Sequence, residues 1–277
     1  MSDSSTHEPG TLRVGSVPFL VARPLDLGLD QEQGIELVRE VPAVLVRKLR
    51  AGELDVALVS SIELFRKPGY RYLDGLAVAG HAGVASVQLF LRKPVEELET
   101  VALDPASRTA ATLVQVTLAE LGHEPRFLEV PADQDPREVE ADGWLRIGDR
   151  AFQEYLEPDA HPVFNPSAAW REQTDHPFIF ATWIVREGLD ISSWLSAFAR
   201  ARARGRDALP QLARDAAKEW SLPLAETENY LLRECLYEPG SAMRPSLLAF
   251  RDRATKLGLC EPDLLPEAVR FESTSSQ

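Results

Sequence analysis

Cysteine is scarce in this chain, with two residues, Cys235 and Cys260, in 277. They lack CxxC spacing, which argues against a disulfide framework or a zinc ribbon and fits a reducing cytoplasm. Long apolar runs are also missing. The longest, such as DVALVS and SVQLFL, are strand length and far short of the roughly 20 residues a membrane helix needs, so no transmembrane span is expected. Positive charge is in deficit: the net charge is −13. The one basic stretch, Ala199 to Arg206, reads as a solvated helix face, so nucleic acid is not the expected partner. Five scattered histidines, His7, His81, His123, His161 and His176, show no ligand spacing, and no metal site is expected. A Walker loop, GxGxxG after a strand, GxSxG and HExxH are all absent. The opening MSDSSTHEPG has neither the basic start nor the apolar stretch of a secretory signal, so residues 1–10 read as a disordered tail and the expected location is cytoplasmic.

What is present is a soluble α/β composition, 44% hydrophobic, in a chain long enough for two lobes. The stretch Arg13 to Leu25, RVGSVPFLVARPL, starts as an apolar strand and is stopped by Pro18 and Pro24, neither of which can donate in a ladder. In open α/β sheets ligands sit at such carboxyl ends. VPAVLVRKLRAG then has helical apolar spacing up to Gly52, and LDVALVS is a continuous apolar strand. This βαβ unit brings Ser16 to Val21 beside Ser60 and Ser61. Those two serines either cap the element that follows or offer an anion cup.

YLDGLAVAG and VASVQLFLRK read as two further strands, with Ser86 opening the second. From Pro94 a new run of strands and helices suggests a second lobe inserted into the first, and PFIFATWIVREG reads as the crossing back. The expected boundaries are 11–92 plus 186–277 for the first lobe with its terminal helices, and 93–185 for the second. From Ile191 the chain reads as separate helices punctuated by Pro and Gly. The cleft between the lobes is the expected site.

Chemistry-bearing residues cluster at the predicted strand ends. Ser107, Thr109 and Thr112 enter a helix after a strand, where hydroxyls and free amides either cap the helix or bind a carboxylate. Asp149, in RIGD, either caps the next helix or orients a ligand. Phe180 and Trp183 read as core filling between lobes, and His81 as a solvent-facing loop residue. Overall acidity does not prevent such local sites from taking an anion.

Six segments, RVGSVPFLVARPL, GELDVALVSSIE, GVASVQLFLRKP, SRTAAT, LRIGDRAF and AAWREQTDHPFIFATWIVR, occur in an order and spacing that resemble the chorismate dehydratases of the futalosine route to menaquinone. The likeness runs from Leu12 to about Leu259. It implies a type II periplasmic-binding-protein fold used as a cytoplasmic lyase that needs no cofactor. The implied partner is chorismate, a small dicarboxylate, converted to 3-(1-carboxyvinyloxy)benzoate and water. The substrate's own enolpyruvyl carboxylate takes the proton in mechanisms proposed for that family. Ser86 matches the family serine and is the implied catalytic position. Phe19, Val21, Ser60, Ser61, Ser107, Thr109, Ala110 and Asp149 are the implied substrate-binding positions. Two of these depart from the family pattern: Val21 stands where Asn is usual, and Ala110 replaces a second hydroxyl. Such departures leave room for a binder of aromatic carboxylates on the same fold, or for the sister enzyme that makes 1,4-dihydroxy-6-naphthoate.

Overall fold

The computed structural model describes residues 10–271, so all but the last residue of the expected tail lies outside the described residues. In chain order the strands are β1 (Leu12–Ser16), β2 (Ile35–Arg39), β3 (Val56–Ser60), β4 (Arg71–Gly80), β5 (Val87–Leu91), β6 (Thr100–Leu103), β7 (Arg126–Glu129), β8 (Gly143–Ile147), β9 (Val163–Phe164), β10 (Phe178–Val185), β11 (Cys235–Leu236) and β12 (Glu267–Val269). They form two sheets. The larger runs β11-β4-β10-β3-β1-β2, with β12 also on β4; the smaller runs β7-β6-β8-β5-β9.

As the βαβ pattern requires, β1 and β3 pair in parallel, with α2 (Pro42–Ala51) crossing over them after the single-turn α1 (Arg23–Asp26). Every residue of β3 is buried, which explains its unbroken apolar run. Helix α2 stops at Gly52, whose left-handed φ of 74° lets its amide reach the Leu49 and Lys48 carbonyls. Strand β2, half exposed at the sheet edge, extends the unit on the far side of β1.

The lobe boundaries differ from the sequence reading. β5 pairs with β8 and β9 in the smaller sheet, whereas β10 lies between β3 and β4 in the larger. The outward crossing therefore falls between Gly80 and Val87, not at 92. The return falls before Phe178, not at 185. Both strands are largely apolar on both faces, and such a run carries no face periodicity to say which sheet receives it.

In the smaller lobe, α3 (Arg108–Glu120) is capped by Ser107, whose Oγ accepts the Ala110 N–H at 3.1 Å. Helix α4 (Gly148–Tyr155) follows β8 without a break, and Asn165 caps α5 (Pro166–Thr174) by accepting from Ser167 and Ala168. The terminal region holds α6 (Leu195–Trp220), α7 (Leu224–Asn229) and α8 (Met243–Lys256). Helix α6 fuses two segments that Gly and Pro signals separated. Pro210 sits on its solvent side, where water can satisfy the carbonyl left without a donor. Gly205 lies so close to Pro24 that a Cβ there would stand 1.8 Å from the Pro24 carbonyl oxygen. The main core contains Leu113, Val116, Phe152 and Trp170 of the smaller lobe beside residues of the larger, so the two lobes share it.

Candidate functional site

Where the lobes meet, the carboxyl ends of β1, β3 and β8 and the start of β5 surround a cavity. It holds about 580 Å³ of empty space including its open mouth. Of the nine residues singled out from the sequence, Phe19, Val21, Ser60, Ser86 and Ser107 line it. Phe180, read as core filler, lines it too, while Trp183 is fully buried and packs edge-on against Phe198. Val17, Val78, Ile147 and Gly148 complete much of the apolar wall. They were missed because buried aliphatic residues look the same in a cavity wall and in a core.

The only polar side chains on the cavity wall are the hydroxyls of Ser60, Ser86 and Ser107, with no arginine, lysine, histidine, aspartate or glutamate among the described residues of its wall. The Ser60 side chain caps nothing in the Ser61–Phe65 turn that follows. Ser107 accepts from Ala110, which leaves its own O–H free to donate. Ser86 precedes β5, and its carbonyl accepts the Gly148 N–H at 2.8 Å. The backbone around Ser86 is fixed from two directions. Asn165 Nδ2 donates to the Val84 and Val87 carbonyls, the Val84 N–H donates to Ser167 Oγ, and the Ala85 N–H donates to Glu234 Oε2 at 2.8 Å.

Ser61, Thr109, Ala110 and Asp149 do not line the cavity. Ser61 is fully buried and donates to the Ile179 carbonyl at 2.6 Å. Thr109 Oγ1 accepts the Ile62 N–H at 3.2 Å across the lobe interface. Ala110 is buried in the smaller core. Asp149 accepts the Leu20 N–H from the other lobe at 3.1 and 3.3 Å. Burial pushes its carboxyl up to about 6, against the opposing pull of the Leu20 bond and of Arg23, while Glu219 adds to the rise. Thr109 and Asp149 thus fasten the lobes together beside the cavity. Gly148, with a φ of 70°, gives the Phe19 ring room that a Cβ would crowd at 3.3 Å.

Just outside the cavity, the buried Glu63 carboxylate takes Arg50 and Arg66 from its own lobe and Arg108 from α3. One carboxylate facing three guanidiniums leaves local positive charge next to Ser107, in a chain that is acidic overall. No helix of the described residues is long and apolar enough to cross a membrane, and none of their His, Cys, Asp and Glu groups is placed to hold a metal ion.

Two sheets joined by two crossings, with a cavity between the lobes, define a protein of the periplasmic-binding-protein-like fold. The chain is similar to a protein of Archaeoglobus fulgidus, with a TM-score of 0.72 and 17% identity over 91% of this chain and 100% of that one. It is also similar to the alkanesulfonate-binding protein of Xanthomonas axonopodis pv. citri bound to MOPS, with a TM-score of 0.68 and 18% identity over 96% and 100%. Those likenesses concern the fold. The chain belongs to the menaquinone biosynthesis family, whose model matches residues 12–256. A chorismate dehydratase of Thermus thermophilus is 32% identical over 246 residues, 82% of this chain and 88% of that protein. A chorismate dehydratase of Campylobacter jejuni is 29% identical over 174 residues, 60% of this chain and 64% of its own.

Proposed function

We propose that this chain is a chorismate dehydratase, a carbon–oxygen lyase working in the cytoplasm. Family membership supports the reading, and the observation that carries it is the make-up of the cavity wall. Three serines, Ser60, Ser86 and Ser107, converge on an otherwise apolar pocket that has no acid or base in its lining. Such a pocket suits a reaction that brings its own base and its own driving force.

Dehydration of chorismate does both. The proton on carbon 3 passes to the enolpyruvyl carboxylate of the same molecule, and the charge left behind spreads through the diene to the ring carboxylate. The bond from carbon 4 to oxygen then breaks, the oxygen leaves with that proton as water, and the ring becomes aromatic. The protein has to orient the substrate and donate hydrogen bonds to its oxygens. Ser86 is the catalytic donor in this scheme; Ser60 and Ser107 hold carboxylates, with the local positive charge around Glu63 favouring an anion at the mouth.

Incubating the purified chain with chorismate and following 3-(1-carboxyvinyloxy)benzoate by liquid chromatography tests the reading. Absence of product under conditions in which the Thermus thermophilus relative converts chorismate would refute it. Ser86→Ala should lower kcat far more than it raises KM.

Val21 supports a second reading, in which the chain binds a small aromatic carboxylate and converts it slowly or not at all. Its side chain faces the cavity and can neither donate nor accept a hydrogen bond. Calorimetric binding of chorismate without turnover would favour that reading.

A further inference from the structure

A second, narrower cleft adjoins the cavity. It shares Pro42 and Ser60 with the cavity wall and holds about 200 Å³ of empty space including its opening. One side is the first turns of α2, from Pro42 to Val46, in the larger lobe; the other is Pro105, Ala106 and Arg108, where α3 begins in the smaller. The space beside Ser60 is thus bounded by both lobes. Its only charged side chain among the described residues is Arg108.

Arg108 is loosely held. Its Nη1 donates to Glu63 Oε1 at 3.3 Å, a long bond, and its side chain is 47% exposed. Its Nε and Nη2 groups have no acceptor among the described residues. Glu63 has other partners: Oε2 takes Arg50, and Arg66 stands 3.8 Å from Oε1. So exposed a pair contributes little to stability, whereas a guanidinium with unspent N–H groups matches a carboxylate in fork geometry. Asp104, just before α3, does not compete for it. Its carboxylate oxygens accept the Ala106 and Ile147 N–H groups at 2.8 and 3.0 Å.

A dianion entering this pocket gives up hydration that three neutral serine hydroxyls replace only in part. A cation next to Ser60 and Ser107 offsets that loss for a carboxylate reaching past Ser60 into the cleft. We propose that Arg108 is a specificity-determining residue: it exchanges Glu63 for one substrate carboxylate and so selects dicarboxylates over monocarboxylates. That the dicarboxylate is chorismate rests on the dehydratase reading; the selection by charge does not.

The test compares Arg108→Gln and Arg108→Lys with Arg206→Gln, which removes an exposed charge from α6. Arg108→Gln should raise KM for chorismate about tenfold or more at low ionic strength, the worth of one charge-assisted hydrogen bond, and keep kcat within about threefold. Raising salt from about 20 to about 200 mM should raise KM in the wild type and in Arg206→Gln but barely in Arg108→Gln. Arg108→Lys keeps the charge and loses the fork, so its KM should fall between wild type and Arg108→Gln. The melting temperature of Arg108→Gln should stay within about 2 °C of wild type. A KM within about twofold of wild type, an equal loss in Arg206→Gln, or an unchanged salt dependence would each overturn the proposal. So would a melting temperature lowered by more than about 5 °C together with a loss of kcat, the mark of a strut between the lobes. If the wild type leaves chorismate untouched, the dehydratase reading falls, and calorimetry with isophthalate and benzoate decides the selection. Tighter binding of isophthalate by the wild type, lost in Arg108→Gln, supports it. Equal affinities, no binding of either, or a preference kept in the variant overturns it.

Discussion

Asp149 accepts the backbone N–H of Leu20 at 3.1 Å, one lobe holding the other by a bond at the rim of the cavity. Leu20 opens the turn Leu20–Ala22, and the residue before it, Phe19, supplies no side-chain cap. The carboxylate therefore does from the opposite lobe what an N-cap would do locally. Val21, the next residue, faces the cavity, so this bond helps set where position 21 points.

Lobe closure should therefore take up a proton. Asp149 titrates at about 6 when buried against Leu20, and a separated, solvated carboxyl would return towards about 3.9. Between those values the closed form binds more protons than the open one, so acid favours closure. Initial-rate measurements should show KM for chorismate falling in the wild type as pH drops from about 7.5 to about 5.5, and staying flat in Asp149→Asn, which keeps an acceptor oxygen. The same sign governs folding: stability falls as pH rises from about 4 through about 6 and stays lowered above that. Asp149→Asn should thus be the more stable chain at about pH 7.5, with the advantage gone near pH 4. A wild-type KM that does not change with pH would remove Asp149 from any role in closure.

Position 21 offers a separate test. Val21→Asn places an amide in the cavity wall. If that amide holds the substrate or its leaving hydroxyl, kcat should rise by about 10² or more, the usual effect of one transition-state donor. Because Val21 is 8% exposed, the polar replacement should also lower thermal stability modestly. An unchanged kcat would mean that another group already does the work.

Gly205 should be intolerant of a single methyl. A Cβ would stand 1.8 Å from the Pro24 oxygen and 2.4 Å from its carbonyl carbon, and both sides of this contact are backbone. Alanine would gain about 1 kcal/mol of helix propensity in α6 but should lose more to overpacking, which costs about 1 to 3 kcal/mol or more. Gly205→Ala is expected to show a net loss of stability in urea denaturation together with a raised KM, because Pro24 anchors the stretch that carries Phe19 and Val21. A variant as stable as wild type would show that α6 can slide away from Pro24.

The sequence made the cleft legible where single strands pointed to it. Prolines ended β1, the buried run of β3 ended at Ser60, and Ser107 announced α3, so three walls of the cavity could be read before any contact was known. The fastening between lobes could not be read. The partner of Asp149 lies 129 residues away, and no local pattern links a carboxylate to a distant backbone amide. The π-helical turn Tyr230–Glu234, whose Glu234 holds the Ala85 N–H, was hidden for another reason: LAETENYLLRECL has helical composition throughout, and nothing in that pattern marks the turn. β5 and β10 read as strands, but with apolar residues on both faces their choice of sheet is left to long-range packing.

Away from the cavity, at the amino ends of β1 and β3, Asp55 ties three strands of the larger sheet. Its carboxylate takes the Arg13 backbone N–H at 2.9 Å, the Arg13 guanidinium at 2.9 and 3.0 Å, and Arg186, just past β10, at 2.8 Å. Burial alone would raise this carboxyl, but the bonds from Arg13 and Arg186 outweigh it and hold it at about 2. A carboxyl held below its unfolded value contributes stability that is fully present above about pH 4 and is lost as pH falls towards 2. Asp55→Ala leaves both guanidiniums without their partner and should cost about 3 to 5 kcal/mol at neutral pH. The gap between the two chains in urea denaturation should narrow as pH falls from about 7 to about 3. Turnover by the folded fraction should stay unchanged, since Asp55 sits at the opposite end of the strands from Ser60. A gap that widened in acid would show that Asp55 is held as the neutral acid, the reverse of what its four bonds imply.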